Sequence, residues 1–235
     1  MDGEWAEDSD KFPDTPPDTQ CFQALEGIRS VRHSLLLRAP GIDVNMDRKG
    51  ALDNLRHHYS SGIAGLGYRM GDVATAEQVH GNSVQRVVSA EGFDNPVAGA
   101  DGLVTDCPGT VLAILVADCC AVFLADKHGR GVALVHSGRK GSEMGIVSRA
   151  IAAMCDMGIS PGDLVAVMSP CIRPPAYEED FASLIRRDCL QAGIPSAQLH
   201  DAGTCTSSAP ERYYSYRCEK GRTGRMLALL GLSPD

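Results

Sequence analysis

The sequence lacks a long apolar segment and has few aromatic residues. No stretch approaches the roughly 18 consecutive apolar residues that a membrane-spanning helix needs. No basic start precedes an apolar run, which is the pattern of a secretory signal. Aromatic residues make up 5% of the chain, but 43% of its residues are hydrophobic, which excludes disorder over the full length. We therefore expect a globular, cytoplasmic protein without a membrane partner.

The cysteines lack the spacing of a disulfide framework or a zinc finger. The chain has nine, an odd number, and contains no CxxC pair. In a cytoplasmic protein such thiols are expected to be reduced. A structural zinc ribbon and a disulfide-rich secreted fold are thereby excluded.

The net charge of −8 is concentrated at one end of the sequence. Residues 1–20 contain seven carboxylates and one lysine, together with Pro13, Pro16 and Pro17. We predict an acidic, flexible tail over residues 1–20 and one domain over residues 21–235. The nearly neutral remainder does not require a nucleic-acid partner.

Apolar runs separated by turn residues predict the elements of the domain. The continuous run Val111–Val116 is typical of a strand buried on both faces. Helical spacing of apolar residues predicts helices over 142–157, with Ser142 as the N-cap, and over 179–192. Further strands are expected at 84–88, 121–125, 132–135, 164–168 and 213–218. This mixture indicates an α/β or α+β fold.

Three residues lie where predicted apolar runs end, and their side chains suit a metal ion. They are His80, Cys119 and His136. Imidazole and thiolate are ligands that zinc prefers, and three protein ligands leave a fourth position open for water or substrate. Two alternatives remain open at this point: hydrogen-bonded structural histidines, or a nucleophilic pair in which His136 activates Cys119.

Nine short motifs, in order, resemble the YfiH-like family, long labelled multicopper polyphenol oxidoreductase or laccase-domain proteins. They are QVHG at 78–81, ADGLVT at 100–105, ADC at 117–119, VHSG at 135–138, SPCI at 169–172, YE at 177–178, CT at 205–206, YSYR at 214–217 and GRTGR at 221–225. The resemblance implies an α+β fold with mixed β-sheets flanked by helices, similar to the bacterial toxin deamidases. It also implies zinc-dependent purine nucleoside phosphorylase and adenosine deaminase activities, with zinc bound by His80, Cys119 and His136.

The sequence departs from the family pattern beside His136. The family usually reads His-Ala-Gly-Trp-Arg-Gly, and here Arg139 replaces the Trp and Lys140 replaces the Arg. A family Cys is replaced by Ala176. The three metal-ligand positions are unchanged, so the departures concern the substrate more than the metal.

Phosphorolysis of a purine nucleoside requires phosphate to be held, and three basic residues are candidates. Arg139 and Lys140 lie in a Gly-bounded turn before the predicted helix, and Arg217 ends the YSYR motif. Their alternative roles are a solvated basic turn and a structural salt bridge.

Deamination would need a carboxylate that moves protons, and Asp118 and Glu178 are candidates. Either residue would otherwise orient the metal ligands. Asp101, in Ala-Asp-Gly, is predicted to form a turn.

Copper oxidase chemistry does not fit the histidine content. The chain has seven histidines and no His-x-His pair, too few for several copper centres, so zinc is expected rather than copper. Three functions remain: a zinc enzyme acting on purine nucleosides and phosphate, a thiol hydrolase or deamidase using Cys119 and His136, and a metal- or ligand-binding protein without turnover.

Overall fold

Two mixed β-sheets lie at the centre of the protein, which a computed structural model describes over residues 17–234. The first sheet has five strands, in the order β1 (Thr19–Gln20), β2 (Val31–Leu36), β11 (Met226–Leu232), β6 (Val111–Val116) and β3 (Val73–Thr75). The second has six, in the order β10 (Leu199–Asp201), β9 (Leu164–Met168), β7 (Cys120–Asp126), β8 (Val132–Ser137), β5 (Gly102–Thr105) and β4 (Val84–Arg86).

Side chains of the second sheet alternate between two hydrophobic cores. Phe123 and Leu134 face the core shared with the first sheet, and Phe123 contacts the ring of Phe22 with centroids 5.1 Å apart. Their neighbours Val122 and Val135 face the other core. Strands covered on both faces carry apolar residues continuously, which explains why these runs are recognisable in the sequence.

Helices pack on both sheets. The helices are α1 (Gln23–Glu26), α2 (Arg48–Gly65), α3 (Arg139–Glu143), α4 (Ile146–Asp156) and α5 (Phe181–Gln191). The short helix α1 contacts β2 of the first sheet and β9 of the second. Asp47 caps the N-terminus of α2, since its carboxylate accepts a hydrogen bond from the backbone N–H of Gly50. Helix α2 approaches β2 closely where Gly62 faces Leu36. Helices α4 and α5 share the second core with the second sheet. The fold is therefore α+β, with the layers helix, sheet, sheet and helix.

Several predicted elements differ from the structure. The helix predicted over 142–157 is two helices, because Gly145 adopts a left-handed backbone with φ +69° between α3 and α4. Ser142 is not an N-cap; it lies inside α3, where its hydroxyl donates to the carbonyl of Gly138. The strand predicted over 213–218 is wrong, since these residues form turns.

The predicted acidic tail lies largely outside the described residues. Its last two residues, Thr19 and Gln20, form β1 and pair with Leu36 and Leu35 of β2. Within residues 17–234, no helix combines the length and apolar character that crossing a bilayer requires.

Candidate metal centre

The structure brings His80, Cys119 and His136 together from two loops and one strand. His80 follows β3, Cys119 lies between β6 and β7, and His136 is near the end of β8. Their donor atoms all lie within 4.8 Å of one another. The two imidazole rings meet edge to face, with centroids 4.8 Å apart. His136 is buried, Cys119 is half-buried and His80 is exposed, so one side of the cluster is accessible.

Left-handed backbone conformations direct these side chains. Gln78, His80 and Asp118 have φ of 62°, 60° and 80°. Such conformations are unfavourable for residues other than glycine and require surrounding structure to hold them. The buried side-chain amide of Gln78 provides part of this support. Its Nε2 donates to the carbonyl of Leu115 at 2.6 Å, and its Oε1 accepts from the Leu115 N–H at 2.9 Å. This pairing fixes the His80 loop to β6.

Glycine at position 138 keeps the space beside Cys119 open. A Cβ atom there would lie 2.7 Å from the Cys119 sulfur and 3.7 Å from the His80 ring. A larger residue would displace the thiol. The donor set, its spacing and this clearance fit a divalent ion that accepts nitrogen and sulfur ligands.

Asp101 organises two of the three candidate ligands. It is fully buried, and its carboxylate accepts from the backbone N–H groups of His80 at 2.9 Å and Gly81 at 2.7 Å. It also lies 2.9 Å from Nδ1 of His136. Because Nδ1 bonds with Asp101, Nε2 of His136 is the nitrogen available to a metal ion, which would replace the proton there. The sequence predicted Asp101 only as a turn former and missed its contacts with His80 and His136, although the ADGLVT motif pointed to its segment.

Electrostatics within the cluster favour a thiolate. Burial alone would raise the pKa of Cys119, but hydrogen bonds with His136 and His80 outweigh it and lower this pKa to about 6. Burial would lower the pKa of His136, but its bonds to Asp101 and Cys119 raise that pKa to about 9. The side chains thus hold a negatively charged sulfur, which is the form that binds a metal.

Asp118 holds neighbouring loops together. Its buried carboxylate accepts from the Thr206 hydroxyl at 2.6 Å and from the Arg217 backbone N–H at 2.7 Å. Glu178 forms an ion pair with the Arg217 guanidinium, which lies 5.2 Å from the centre of the Tyr177 ring. Both candidate carboxylates are therefore already bonded, and both position Arg217.

The cluster opens into a cleft with basic and aromatic walls. The cleft has a volume of about 1020 Å³, and Tyr177, Phe181 and Tyr216 contribute its rings. Six cationic side chains line it, namely Arg48, Arg139, Lys140, Arg217, Lys220 and Arg225. The three candidates for phosphate thus line one cleft. Sequence reasoning missed the other three: Arg225 ends the GRTGR motif, whereas nothing in the sequence marked Arg48 or Lys220.

A second group of potential ligands has a different role. Side-chain donors of Asp126, His128 and Asp163 also lie within 4.8 Å of one another. However, Arg130 binds both oxygens of Asp126, and Lys127 and Arg130 pair with Asp163. Neutralised carboxylates are poor metal ligands, so this group is an ion-pair network.

Two relatives of this chain carry the same functional name. It is 27% identical to the purine nucleoside phosphorylase YlmD of Geobacillus stearothermophilus, over 81% of this chain and 82% of the relative. It is 32% identical to a purine nucleoside phosphorylase of Deinococcus radiodurans, over 86% of this chain and 90% of the relative.

Solved structures share the fold. The hypothetical protein YfiH of Bacillus licheniformis matches with a TM-score of 0.80 and 22% identity, over 93% of this chain and 97% of that one. YlmD of Geobacillus stearothermophilus matches with a TM-score of 0.75 and 25% identity, over 88% and 93%. A family model described as multi-copper polyphenol oxidoreductase laccase matches residues 41–182 and 177–233. Because that match takes in most of the sequence, the chain belongs to this laccase-labelled family, the one that contains the YfiH-like proteins.

Proposed function

We propose that this protein is a zinc-dependent purine nucleoside phosphorylase. The observation that carries the proposal is the open His80–Cys119–His136 cluster at a cleft lined by cations. The names of its relatives support the same reaction and substrate class. A cytoplasmic location, as the sequence predicts, would give it access to nucleosides and phosphate.

The reaction breaks the bond between the sugar carbon C1′ and the purine nitrogen. A phosphate oxygen forms the new bond to C1′, and the proton of hydrogen phosphate is transferred to the departing base. Positive charge develops on the sugar and negative charge on the base, so catalysis needs a held anion and an electrophile near the base.

The basic residues on one wall of the cleft would hold phosphate. We assign this role to Arg139, Lys140 and Arg217, whose side chains line the cleft. Arg217 is oriented by its ion pair with Glu178, and its backbone is fixed by Asp118. Guanidinium groups present paired donors to phosphate oxygens, and the lysine adds a mobile point charge.

Zinc is the proposed metal because two imidazoles and one thiolate match its preference, whereas copper oxidase chemistry would need more histidines. When bound, zinc supplies a Lewis acid with one open position. Asp101 would keep His136 oriented towards it.

A nucleoside assay tests the proposal. Adenosine, inosine, guanosine and methylthioadenosine should each be offered to the zinc-loaded protein with and without phosphate, and we expect free base only when phosphate is present. Formation of inosine from adenosine in the same assay would show that the protein also has adenosine deaminase activity. No release of base at any phosphate concentration would contradict the proposal.

Metal content tests the centre separately. We expect about one zinc per chain, lost in His80→Ala, Cys119→Ala and His136→Ala and retained in His200→Ala, an exposed histidine on β10. Zinc retained in all the variants would show that it binds elsewhere.

A second candidate is a thiol hydrolase or deamidase, favoured by the lowered pKa of Cys119 next to His136. It predicts activity that survives a chelator and ends when Cys119 is alkylated. Loss of all activity in the chelator would exclude it.

A further inference from the structure

Three cations of the cleft are not used by the proposed binding of inorganic phosphate. Arg48 begins α2, and Lys220 and Arg225 lie in the segment before β11. All three line the same cleft as the metal cluster. Within the described part of the chain, none of the three forms an ion pair, whereas Arg217 pairs with Glu178 and Arg139 lies 3.8 Å from Glu143.

Arg225 is the most constrained of the three. It is half-buried, and its Nη1 donates to the carbonyl oxygens of Thr223 and Gly224, at 2.9 Å each. Its guanidinium lies 5.8 Å from the centre of the Tyr216 ring. Its Nε and Nη2 donate to no other group among residues 17–234, and these are the donors that a bidentate anion would use.

Arg48 adds a second positive charge near Arg225. Burial, and then the positive charge of Arg48, lower the pKa of Arg225. The fold therefore holds the two cations near each other although their charges repel. Arg225 and Cys119 line the same cleft, so these cations lie at the cavity that the metal cluster opens into. Like charges gathered beside a cleft without a carboxylate partner are typical of an anion-binding site.

We propose that Arg48, Lys220 and Arg225 bind a phosphate ester carried by the substrate, so that the preferred substrate is a purine nucleoside 5′-monophosphate. This rests on the proposed phosphorylase function and adds a second anion to the cleft. Arg139, Lys140 and Arg217 would hold the attacking inorganic phosphate. The exposed ring of Tyr216, beside Arg225, offers an aromatic face to the nucleotide.

The extra phosphate does not change the bonds that form and break. The C1′–N bond breaks, an oxygen of inorganic phosphate bonds to C1′, and the base leaves with the proton from hydrogen phosphate. The sugar product carries phosphate at both C1′ and C5′. No oxidant or further co-reactant is required.

Calorimetric binding to the metal-loaded protein tests this without turnover. Inosine and inosine 5′-monophosphate are compared without inorganic phosphate, so that neither is consumed. The comparison is made in the protein without substitutions and in Arg217→Ala, which removes a candidate residue of the first anion site and should keep the advantage. We expect the monophosphate to bind at least tenfold more tightly, with an advantage that decreases as salt rises. Arg48→Ala and Arg225→Ala should each reduce the advantage about tenfold and leave inosine binding within twofold. Arg149→Ala, an exposed arginine on α4, is the matched control and should not change it.

Equal affinity for the two ligands would overturn the inference, as would an advantage that persists in both arginine variants. An advantage that disappears in Arg217→Ala as well would also overturn it, because a single anion site would then serve both. Base release from inosine without a preference for the monophosphate would leave the phosphorylase proposal standing alone. Tight monophosphate binding without base release from either compound would support the anion site and contradict the phosphorylase.

Discussion

The charge of each candidate ligand depends on the others. Asp101 accepts from His136, His136 bonds with Cys119, and the resulting pair holds a thiolate beside an imidazolium. The pKa of Asp101 is itself lowered: its burial would raise that pKa, but the hydrogen bond from His136 and two backbone N–H groups outweigh it. A buried series of hydrogen bonds of this kind keeps the candidate ligands in position before a metal ion or substrate binds.

Alkylation of Cys119 should report its lowered pKa. In protein freed of metal, the rate of reaction with iodoacetamide should rise with an inflection near pH 6, because the thiolate forms above that pKa of about 6. Added zinc should protect the thiol. The rate is measured by mass spectrometry of the modified peptide, with the exposed Cys155 as an internal reference.

His136→Asn is the informative variant for this experiment. Loss of the imidazolium should move the inflection towards about 8.5, the ordinary value for cysteine. An inflection near that value in the protein without this substitution would show that the histidines do not stabilise the thiolate.

Asp101→Asn tests how far the buried carboxylate supports the metal. Its loss should weaken zinc binding about 10- to 100-fold, the usual effect of removing a carboxylate behind a histidine ligand. Competition with a coloured chelator measures the affinity. Asp106→Asn is the matched control, because Asp106 pairs with Arg86 rather than with a candidate ligand. Equal affinity in the two variants would contradict the role given to Asp101.

At the scale of elements, the contact between α2 and β2 depends on one glycine. An alanine Cβ at position 62 would lie 2.1 Å from a methyl group of Leu36, which is fully buried. We expect Gly62→Ala to lower the free energy of unfolding by about 1–3 kcal/mol through overpacking. Urea denaturation followed by circular dichroism measures it.

Gly65→Ala is the matched control at the end of the same helix. No atom lies within 4 Å of the place that an alanine Cβ would occupy, so alanine there should raise stability by up to about 1 kcal/mol through its helix propensity. Similar destabilisation by the two substitutions would show that space beside Leu36 is not the cause.

The elements differ in how clearly the sequence encodes them. Strands β6 and β9 begin and end as predicted, because burial on both faces leaves a continuous apolar run between turn residues. Helix α2 was missed, since polar and glycine residues interrupt its apolar spacing. The strand predicted over 213–218 was based on the aromatic residues of this segment. Tyr213 and Tyr214 are indeed buried, but they belong to a segment of turns and not to a strand.

Only part of the candidate site could be predicted from the sequence. His80, Cys119 and His136 could be grouped because each ends a strand or follows one closely, and such ends lie near functional clefts. Arg48 and Arg225 could not be grouped, since their proximity depends on how α2 packs against the segment before β11, where the Tyr59 hydroxyl of α2 donates to the Arg225 carbonyl at 2.7 Å. The pairing of Gln78 with Leu115 is likewise a product of tertiary structure.

At the scale of the whole molecule, an ion-pair network joins the two halves of the second sheet. Asp126 ends β7, is fully buried and accepts from both the side chain and the backbone N–H of Arg130. Arg130 also reaches Asp163, just before β9. Burial would raise the pKa of Asp126, but the bonds from Arg130 outweigh it and lower this pKa.

This lowered pKa gives stability a definite dependence on pH. Because the carboxyl binds a proton less readily when folded than when unfolded, its ion pair stabilises the fold above the unfolded pKa of about 3.9. That contribution is lost as pH falls through the lower, folded pKa.

Asp126→Asn should therefore lower the free energy of unfolding by about 1–2 kcal/mol at pH 7, since it removes charge-assisted hydrogen bonds at a half-exposed arginine. Calorimetry should show a lower Tm, by about 2–4 °C per kcal/mol for a chain of this size. The difference from the unmodified protein should shrink in acid, where the native carboxyl is also protonated. Asp156→Asn, at an exposed position on α4, should behave like the unmodified protein throughout. A deficit in Asp126→Asn that stays constant from neutral to strongly acidic pH would show that packing around residue 126, rather than its charge, stabilises this end of the sheet.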